Sequence, residues 1–149
     1  MDGGNTSDFL VLYGTQSNTA KYASEELGRE ALRRGLAPQI MAMDEYNIFQ
    51  LPTEARPVAF IVATTGDGDA PATMVKAWKF LLRRDLPPGS LLSLKFTVFG
   101  LGDSTYEKFN AMAKKLTQRL LDLGGTLFHK VGLGDFQHDF EYEGEFDPW

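Results

Sequence analysis

The apolar residues of this chain fall into short continuous runs, separated by polar turns and by stretches with a helical period. Runs at 9–13, Val58–Ala63 and 96–99 have no polar break, which is typical of strands buried on both faces of a sheet. Weaker patterns predict strands at 39–43 and near 126–131, the last one followed by a Gly-Leu-Gly-Asp loop. These runs predict the strands of a single sheet.

Helical patterns separate these strands. The first is expected to end at Gly35, the second has Pro71 in its first turn, and the third ends at Gly124. A loop with one helical turn is expected at 44–51. The apolar faces of the three helices are, in order, Ala20, Ala23, Leu27 and Ala31; Met74, Trp78 and Leu81; and Phe109, Met112, Ala113, Leu116, Leu120 and Leu123.

Strands that alternate with helices predict an α/β fold with a parallel sheet covered on both faces. Right-handed crossovers place every strand-to-helix loop at the carboxyl edge of such a sheet. The loops expected to meet there are 14–19, 64–69, 100–106 and 133–138. Because open α/β sheets bind their ligands at this edge, the loops are the candidate site.

The first of these loops has the composition of an anion site. Gly14 ends the strand, hydroxyl and amide side chains follow, and a helix begins near Thr19. The free N–H groups and the dipole of a helix N-terminus favour a phosphate there. The loop has neither the Gly-Lys-Ser/Thr of nucleotide triphosphatases nor the Gly-x-Gly-x-x-Gly of dinucleotide folds. One terminal phosphate is therefore favoured, and the alternative is a capped helix without a ligand.

The other three loops are rich in Gly and Asp and contain no Lys or Arg up to Tyr106. They suit a flat ring with polar edges, because their carboxylates would repel a second phosphate. Tyr106 is placed to stack on the face of such a ring. The alternatives are that Tyr106 is an ordinary half-buried aromatic and that the aspartates only cap helices.

Composition narrows the class of protein further. The 149 residues fit one domain at 9–149 behind a polar lead at 1–8 that is expected to be disordered. The absence of Cys fits a reducing compartment. The chain also has no long apolar run and no basic leader. Together these features predict a cytoplasmic protein without a membrane partner. The net charge of −5 argues against nucleic acid and permits a basic protein partner.

Four segments taken together, 14–20, 63–71, 100–110 and 133–135, resemble the FMN-binding domain of the diflavin reductases. That family consists of NADPH-dependent enzymes in which a flavodoxin-like domain is fused to an FAD/NADPH domain. The loop Thr-Thr-Gly-x-Gly-Asp and the final Phe-Asp-Pro-Trp are most similar to the subgroup that serves cytosolic iron–sulfur protein assembly. The resemblance implies a flavodoxin-like three-layer sandwich with five parallel strands in the order 2-1-3-4-5.

The resemblance also implies which residues hold the FMN. Those expected around the phosphate are Thr15, Gln16, Ser17, Asn18 and Thr19, with Ala20 next in the helix. Those expected around the isoalloxazine are Thr64, Thr65, Gly66 and Gly68 on one side, Leu101, Gly102, Asp103, Tyr106, Phe109 and Asn110 on the other, and Asp135 near the pyrimidine edge. Two positions depart from the family pattern: Thr65 replaces a common aromatic residue, and Asn18 replaces a common Gly.

The implied function is the relay of single electrons from NADPH through FAD and FMN to an iron–sulfur assembly protein. The cofactor carries that chemistry, so no catalytic side chain and no metal ligand is assigned. The chain contains no nicotinamide-binding half, so an FAD/NADPH-binding reductase domain is expected as a partner, in the same polypeptide or in another. An FMN-binding scaffold or sensor without redox turnover is the alternative. A phosphoacceptor receiver domain is disfavoured, because the predicted strands end in Gly or Thr and the aspartates lie within loops.

Overall fold

The computed structural model describes residues 7–15, 19–63, 71–102, 110–129 and 131–135, with the backbone alone for Gly102 and 133–135. Among the described helices none is long and apolar enough to cross a membrane. The predicted site residues that lie outside these ranges are named below, together with the site. Residues 1–6 of the predicted lead also lie outside the described ranges.

The strands form one parallel sheet, and their bounds are β1 Phe9–Gly14, β2 Pro38–Ala42, β3 Val58–Ala63, β4 Lys95–Gly102, β5 Thr126–Leu127 and β6 Gly132–Asp135. The order across the sheet is β2-β1-β3-β4-β5, and β6 also pairs with β4. β5 pairs with the beginning of β4 and β6 with its end, so the two short strands share the fifth position. The predicted parallel sheet and its order 2-1-3-4-5 are therefore confirmed.

Two sequence predictions about the strand ends are wrong. β4 continues through Gly100 to Gly102, which were expected to begin a loop, and Gly132–Asp135 forms β6 instead of a loop. Each segment has a partner, because Phe99–Gly102 pairs with Gly132–Asp135 and also with the end of β3. Backbone pairing on both sides of β4 thus outweighs the weak strand propensity of glycine. As a consequence, the strand predicted at 126–131 is reduced to Thr126–Leu127.

The helices are α1 Thr19–Arg33, α2 Val75–Leu81 and α3 Ala111–Asp122. Three short 3-10 turns lie at Met43–Glu45, Ile48–Thr53 and Ala72–Met74, so the loop expected at 44–51 contains more helical structure than predicted. Pro71 precedes the last of these turns in an extended conformation instead of lying in the first turn of a helix. Gly35 follows α1 with φ +81°, which confirms it as the end of the helix.

The helices cover both faces of the sheet. Alternate residues of β1, β3 and β4 pack on one face against Ala20 and Ala23 of α1. The opposite face is larger and packs against α2 and α3 through residues such as Met74, Leu81 and Leu116. Gly28 lets α1 lie close to β2, because a Cβ at this position would be 2.5 Å from Cδ1 of Ile40.

A half-buried ion pair joins the β2–β3 connection to the amino edge of the sheet. The Arg56 guanidinium donates to both carboxylate oxygens of Glu54, at 2.8 and 3.0 Å, and to Gln39 Oε1 at 2.6 Å. Tyr46 donates its hydroxyl proton to the same carboxylate at 2.8 Å. Hydrogen bonds from Arg56 hold the pKa of Glu54 below its usual range, whereas burial and the Glu54 carboxylate raise the pKa of Tyr46.

We predict that Arg56→Met lowers the free energy of unfolding by about 3 kcal/mol at neutral pH, because it leaves the Glu54 carboxylate buried without its cation. The lowered pKa of Glu54 stabilises the fold above the usual carboxyl pKa, and this stabilisation is lost as the pH falls through the folded-state value. The difference between variant and wild type should therefore shrink in acid. Urea unfolding at several pH values measures it.

Arg33→Met is the matched control for this prediction. Arg33 pairs with Glu30 at 2.9 Å on the surface of α1, and 70% of the Arg33 side chain is exposed. Its replacement should change the unfolding free energy by no more than about 0.5 kcal/mol. Equal losses in the two variants would show that the Glu54 pair contributes no more than an exposed pair.

Candidate functional site

The register of the sheet places the carboxyl ends of its strands side by side. Gly14 pairs with Val62, Val62 with Gly100, and Gly100 with Leu133, so these residues form one row across the sheet. In the next row Ala63 pairs with Leu101 and Leu101 with Gly134. The strand ends that lead into the predicted loops therefore meet at one edge.

Thr15 follows β1 at this edge and is fixed by a residue of another loop. The Thr15 N–H donates to Thr73 Oγ1 at 2.8 Å, and the Thr73 hydroxyl and N–H donate to the Thr15 carbonyl at 3.2 and 3.4 Å. Thr73 lies in the 3-10 turn before α2, so it joins the beginning of the first loop to the β3–α2 connection. Thr73 is not among the predicted site residues, because a threonine among Ala, Pro and Met carries no local signal for a contact with a residue 58 positions away.

The side chain of Thr15 carries a polar atom that fits an anionic ligand. Thr15 is 3% exposed, and its Oγ1 has no hydrogen-bond partner among the described residues. A buried hydroxyl without a partner is costly, and a ligand phosphate at this position would satisfy it. The N-terminus of α1 begins four residues later with no acidic residue in its first turn. Free N–H groups and an unopposed helix dipole therefore favour negative charge beside Thr15.

Two glycines allow neighbouring elements to approach this edge closely. A Cβ at Gly14 would collide with the side chain of Met74, which packs over the end of β1. A Cβ at Gly100 would be 2.5 Å from Asn110 Oδ1 and 2.6 Å from Cβ of Ala113. Asn110 is completely buried and precedes α3 with φ 51°, a left-handed conformation that asparagine tolerates better than most residues. The side chain of Asn110 therefore reaches β4 just before its carboxyl end.

The structure describes seven of the predicted site residues, at least in their backbone, and brings them to one end of the sheet. They are Thr15, Thr19, Ala20, Leu101, Gly102, Asn110 and Asp135. The side chains of Ala20 and Leu101 are buried between α1 and the sheet, so only their backbone groups are available to a ligand. The remaining residues lie outside the described ranges and stay predictions; they are Gln16, Ser17, Asn18, Thr64, Thr65, Gly66, Gly68, Asp103, Tyr106 and Phe109.

One titratable group lies close behind this edge. Tyr13 is 9% exposed, and burial raises the pKa of its phenol, with smaller contributions from the carboxylates of Glu45 and Glu25. The tyrosine therefore stays neutral over the physiological range. It adds no charge to the end of β1.

Comparison with known proteins identifies this architecture. The model of the family described as Flavodoxin matches residues 11–149. The chain belongs to the flavodoxin family. Flavodoxin domains bind FMN, so the prediction of FMN as the cofactor is confirmed at the level of the family. The Streptococcus pneumonia TIGR4 flavodoxin, a solved structure, is similar with a TM-score of 0.74 and 15% identity over 93% of this chain and 92% of that chain. At this identity the likeness shows the fold alone.

Curated relatives place the chain within the family. It is 51% identical to "NADPH-dependent diflavin oxidoreductase 1" of Danio rerio over 140 residues, which are 94% of this chain and 23% of that protein. It is 49% identical to the protein of the same name from Arabidopsis thaliana, again over 94% of this chain and over 22% of that protein. The resemblance to the diflavin reductases is therefore confirmed. The chain spans less than a quarter of the length of these two relatives.

The residues at the edge fit the phosphate end of FMN. The buried Thr15 hydroxyl lacks a partner among the described residues, and the adjacent N-terminus of α1 provides N–H donors. When bound, FMN supplies the electron-transfer chemistry. Among the described residues, Thr15 and the backbone N–H groups of the first turn of α1 would hold the anion at this end of the site.

We predict that Thr15→Val weakens FMN binding by about tenfold, because a hydrogen bond to a charged group is lost. The unfolding free energy of the FMN-free protein should stay the same or increase, because the variant removes a buried hydroxyl without a partner. Flavin fluorescence titration and urea unfolding measure the two quantities separately.

Thr117→Val serves as the control for Thr15→Val. The Thr117 hydroxyl donates to the Ala113 carbonyl at 2.8 Å within α3. Its loss should leave the affinity for FMN unchanged. A Thr15→Val protein with wild-type affinity would show that the Thr15 hydroxyl does not contact the phosphate.

We also predict that Gly100→Ala lowers the unfolding free energy by about 1–3 kcal/mol, because the added methyl group overpacks the β4–α3 contact. Gly89→Ala is the control, since its nearest neighbour is the end of the Leu92 side chain at 3.3 Å. Urea unfolding compares the two variants. A Gly100→Ala protein as stable as the wild type would show that α3 can shift away from β4 at no cost.

Proposed function

We propose that this chain is the FMN-binding electron-transfer domain of an NADPH-dependent diflavin oxidoreductase. It relays single electrons from NADPH, through the FAD of a reductase half, to a protein acceptor. The identity of about 50% with proteins named NADPH-dependent diflavin oxidoreductase 1 is the observation that carries this proposal. Identity at this level covers 94% of the chain.

Residues of the chain hold and enclose the cofactor in this proposal. Thr15 and the residues of the first loop bind the phosphate, whereas the loops after β3, β4 and β6 enclose the ring with the residues assigned above. Two contacts support a preformed site. Thr73 fixes the backbone of Thr15, and Asn110 is packed into the space beside Gly100. A site held by packing in this way loses little conformational entropy when the cofactor binds.

The acceptor is proposed to be a protein of iron–sulfur cluster assembly, and the compartment is proposed to be the cytoplasm. The acceptor rests on the resemblance of the 64–69 loop and of residues 146–149 to one subgroup of the family. The compartment rests on the absence of Cys in the sequence. The reductase partner is proposed from the names and length of the relatives, which include far more polypeptide than this chain.

The visible absorption spectrum tests the proposal directly. After incubation with FMN and gel filtration, the protein should keep the flavin bands, and dithionite should bleach them. NADPH alone should leave the bands unchanged. NADPH together with the FAD/NADPH half of a diflavin oxidoreductase should bleach them, because electrons then reach the bound FMN.

The outcomes separate the parts of the proposal. No retained flavin would contradict FMN binding by this chain. The protein could also retain flavin that dithionite bleaches but that stays oxidised with NADPH and the reductase half. That result would favour a flavin-binding scaffold or sensor. The control is the same mixture without added FMN, in which NADPH consumption reports only the activity of the reductase half.

A further inference from the structure

A cleft beside α2 is lined by residues other than those assigned to the flavin site. It has a volume of about 270 Å³ and lies between the 3-10 turn Ile48–Thr53 and α2. Six of the residues that line it are Met43, Ile48, Phe49, Lys76, Ala77 and Phe80. Met43, Ile48 and Ala77 are buried and form an apolar floor. We call this region the α2 cleft.

The wall of the α2 cleft exposes an aromatic pair. Phe49 is 67% exposed, and its ring meets the ring of Phe80 edge to face, with centroids 4.9 Å apart and an interplanar angle of 72°. The turn that carries Phe49 is fixed, because the Phe49 N–H donates to Asn47 Oδ1 at 3.2 Å and the Gln50 N–H to the Asn47 carbonyl at 2.8 Å. The exposed ring of Phe49 therefore continues the apolar floor of the cleft out to the surface, where a partner side chain can reach it.

Exposed basic side chains of α2 lie beside this pair in a protein that is acidic overall, and Asp44 is the one acidic residue among those that line the cleft. Lys76, Lys79 and Arg84 are exposed on α2 and just after it, whereas the whole chain carries a net charge of −5. Arg83 lies 5.8 Å from the centre of the Phe80 ring and pairs with Asp85 at 2.6 Å. Asp44 accepts the N–H groups of Ala77 and Lys76 at 2.9 and 3.3 Å, so its carboxylate is engaged with the helix backbone.

We propose that the α2 cleft is a docking site for an acidic segment of a partner protein. One apolar side chain of that segment packs against Phe49 and Phe80, and flanking carboxylates meet Lys76 and Lys79. Charge complementarity selects an acidic partner, and the apolar floor selects a peptide anchor over a nucleic acid phosphate backbone. This proposal does not depend on the bound flavin.

The test uses the FMN-loaded chain and a fluorescein-labelled peptide of glutamate and aspartate with one central tryptophan. Fluorescence anisotropy should show saturable binding that weakens as salt is added, because exposed charges are screened. Lys79→Glu and Phe49→Ala should each weaken it by about tenfold. A peptide with serine in place of tryptophan should bind more weakly, and Phe49→Ala should then have little further effect, because the two aromatic groups interact with each other.

Matched variants separate the α2 cleft from general effects of charge and exposure. Lys115→Glu makes the same charge change on α3, and Phe128→Ala removes a ring that is 51% exposed elsewhere on the surface. Both should bind the peptide as the wild type does. Urea unfolding checks that Phe49→Ala is folded, which is expected because most of the Phe49 side chain is in water.

Three outcomes would overturn the proposal. The first is no saturable binding to the wild-type chain. The second is an equal loss in Lys79→Glu and Lys115→Glu, which would reduce the effect to net charge. The third is displacement of the peptide by single-stranded RNA at equal concentration, which would assign the basic surface to nucleic acid. The flavin absorption spectrum of each variant should equal that of the wild type. A loss of peptide binding is then not caused by a loss of FMN.

Discussion

The parallel hydrogen-bond register of the sheet is the constraint on which the rest of the structure depends. It sets Gly14, Val62, Gly100 and Leu133 in one row, so four strands end within two residues of the same level. A shift of one residue in any pair would exchange the side chains that face α1 with those that face α2 and α3. The core on both faces and the edge where FMN is proposed to bind are thus fixed by the same backbone pairing.

Close approach of the elements around that edge depends on small residues. Gly14 makes room for Met74, and Gly100 makes room for Asn110 and Ala113. Because Thr73 is next to Met74 in the chain, the packing of Met74 over β1 also brings the Thr73 hydroxyl to the backbone of Thr15. Packing between separate loops therefore positions the backbone of Thr15, where the phosphate is proposed to bind, before any cofactor arrives.

Charge is distributed unevenly over this acidic chain. The described N-terminus of α1, where the phosphate is expected, has no acidic residue in its first turn, and the exposed surface of α2 is basic. These two regions lie on different elements, so a partner at the α2 cleft and a ligand at the strand ends need not compete. An acidic protein with a local basic surface can select one partner by charge while it remains soluble through its overall charge.

The sequence by itself determined the class of fold and the family. Continuous apolar runs predict strands such as Val58–Ala63, and the helical period from Ala20 to Ala31 predicts α1, because both signals are local and strong. The four loop motifs indicated the family and its cofactor.

Tertiary structure decided the rest. Gly100–Gly102 and Gly132–Asp135 became strands because each has a neighbour to pair with, although glycine alone indicates a loop. The contacts of Thr73 with Thr15 and of Arg56 with Gln39, and the α2 cleft, bring together segments that are far apart along the chain, so no local pattern encodes them.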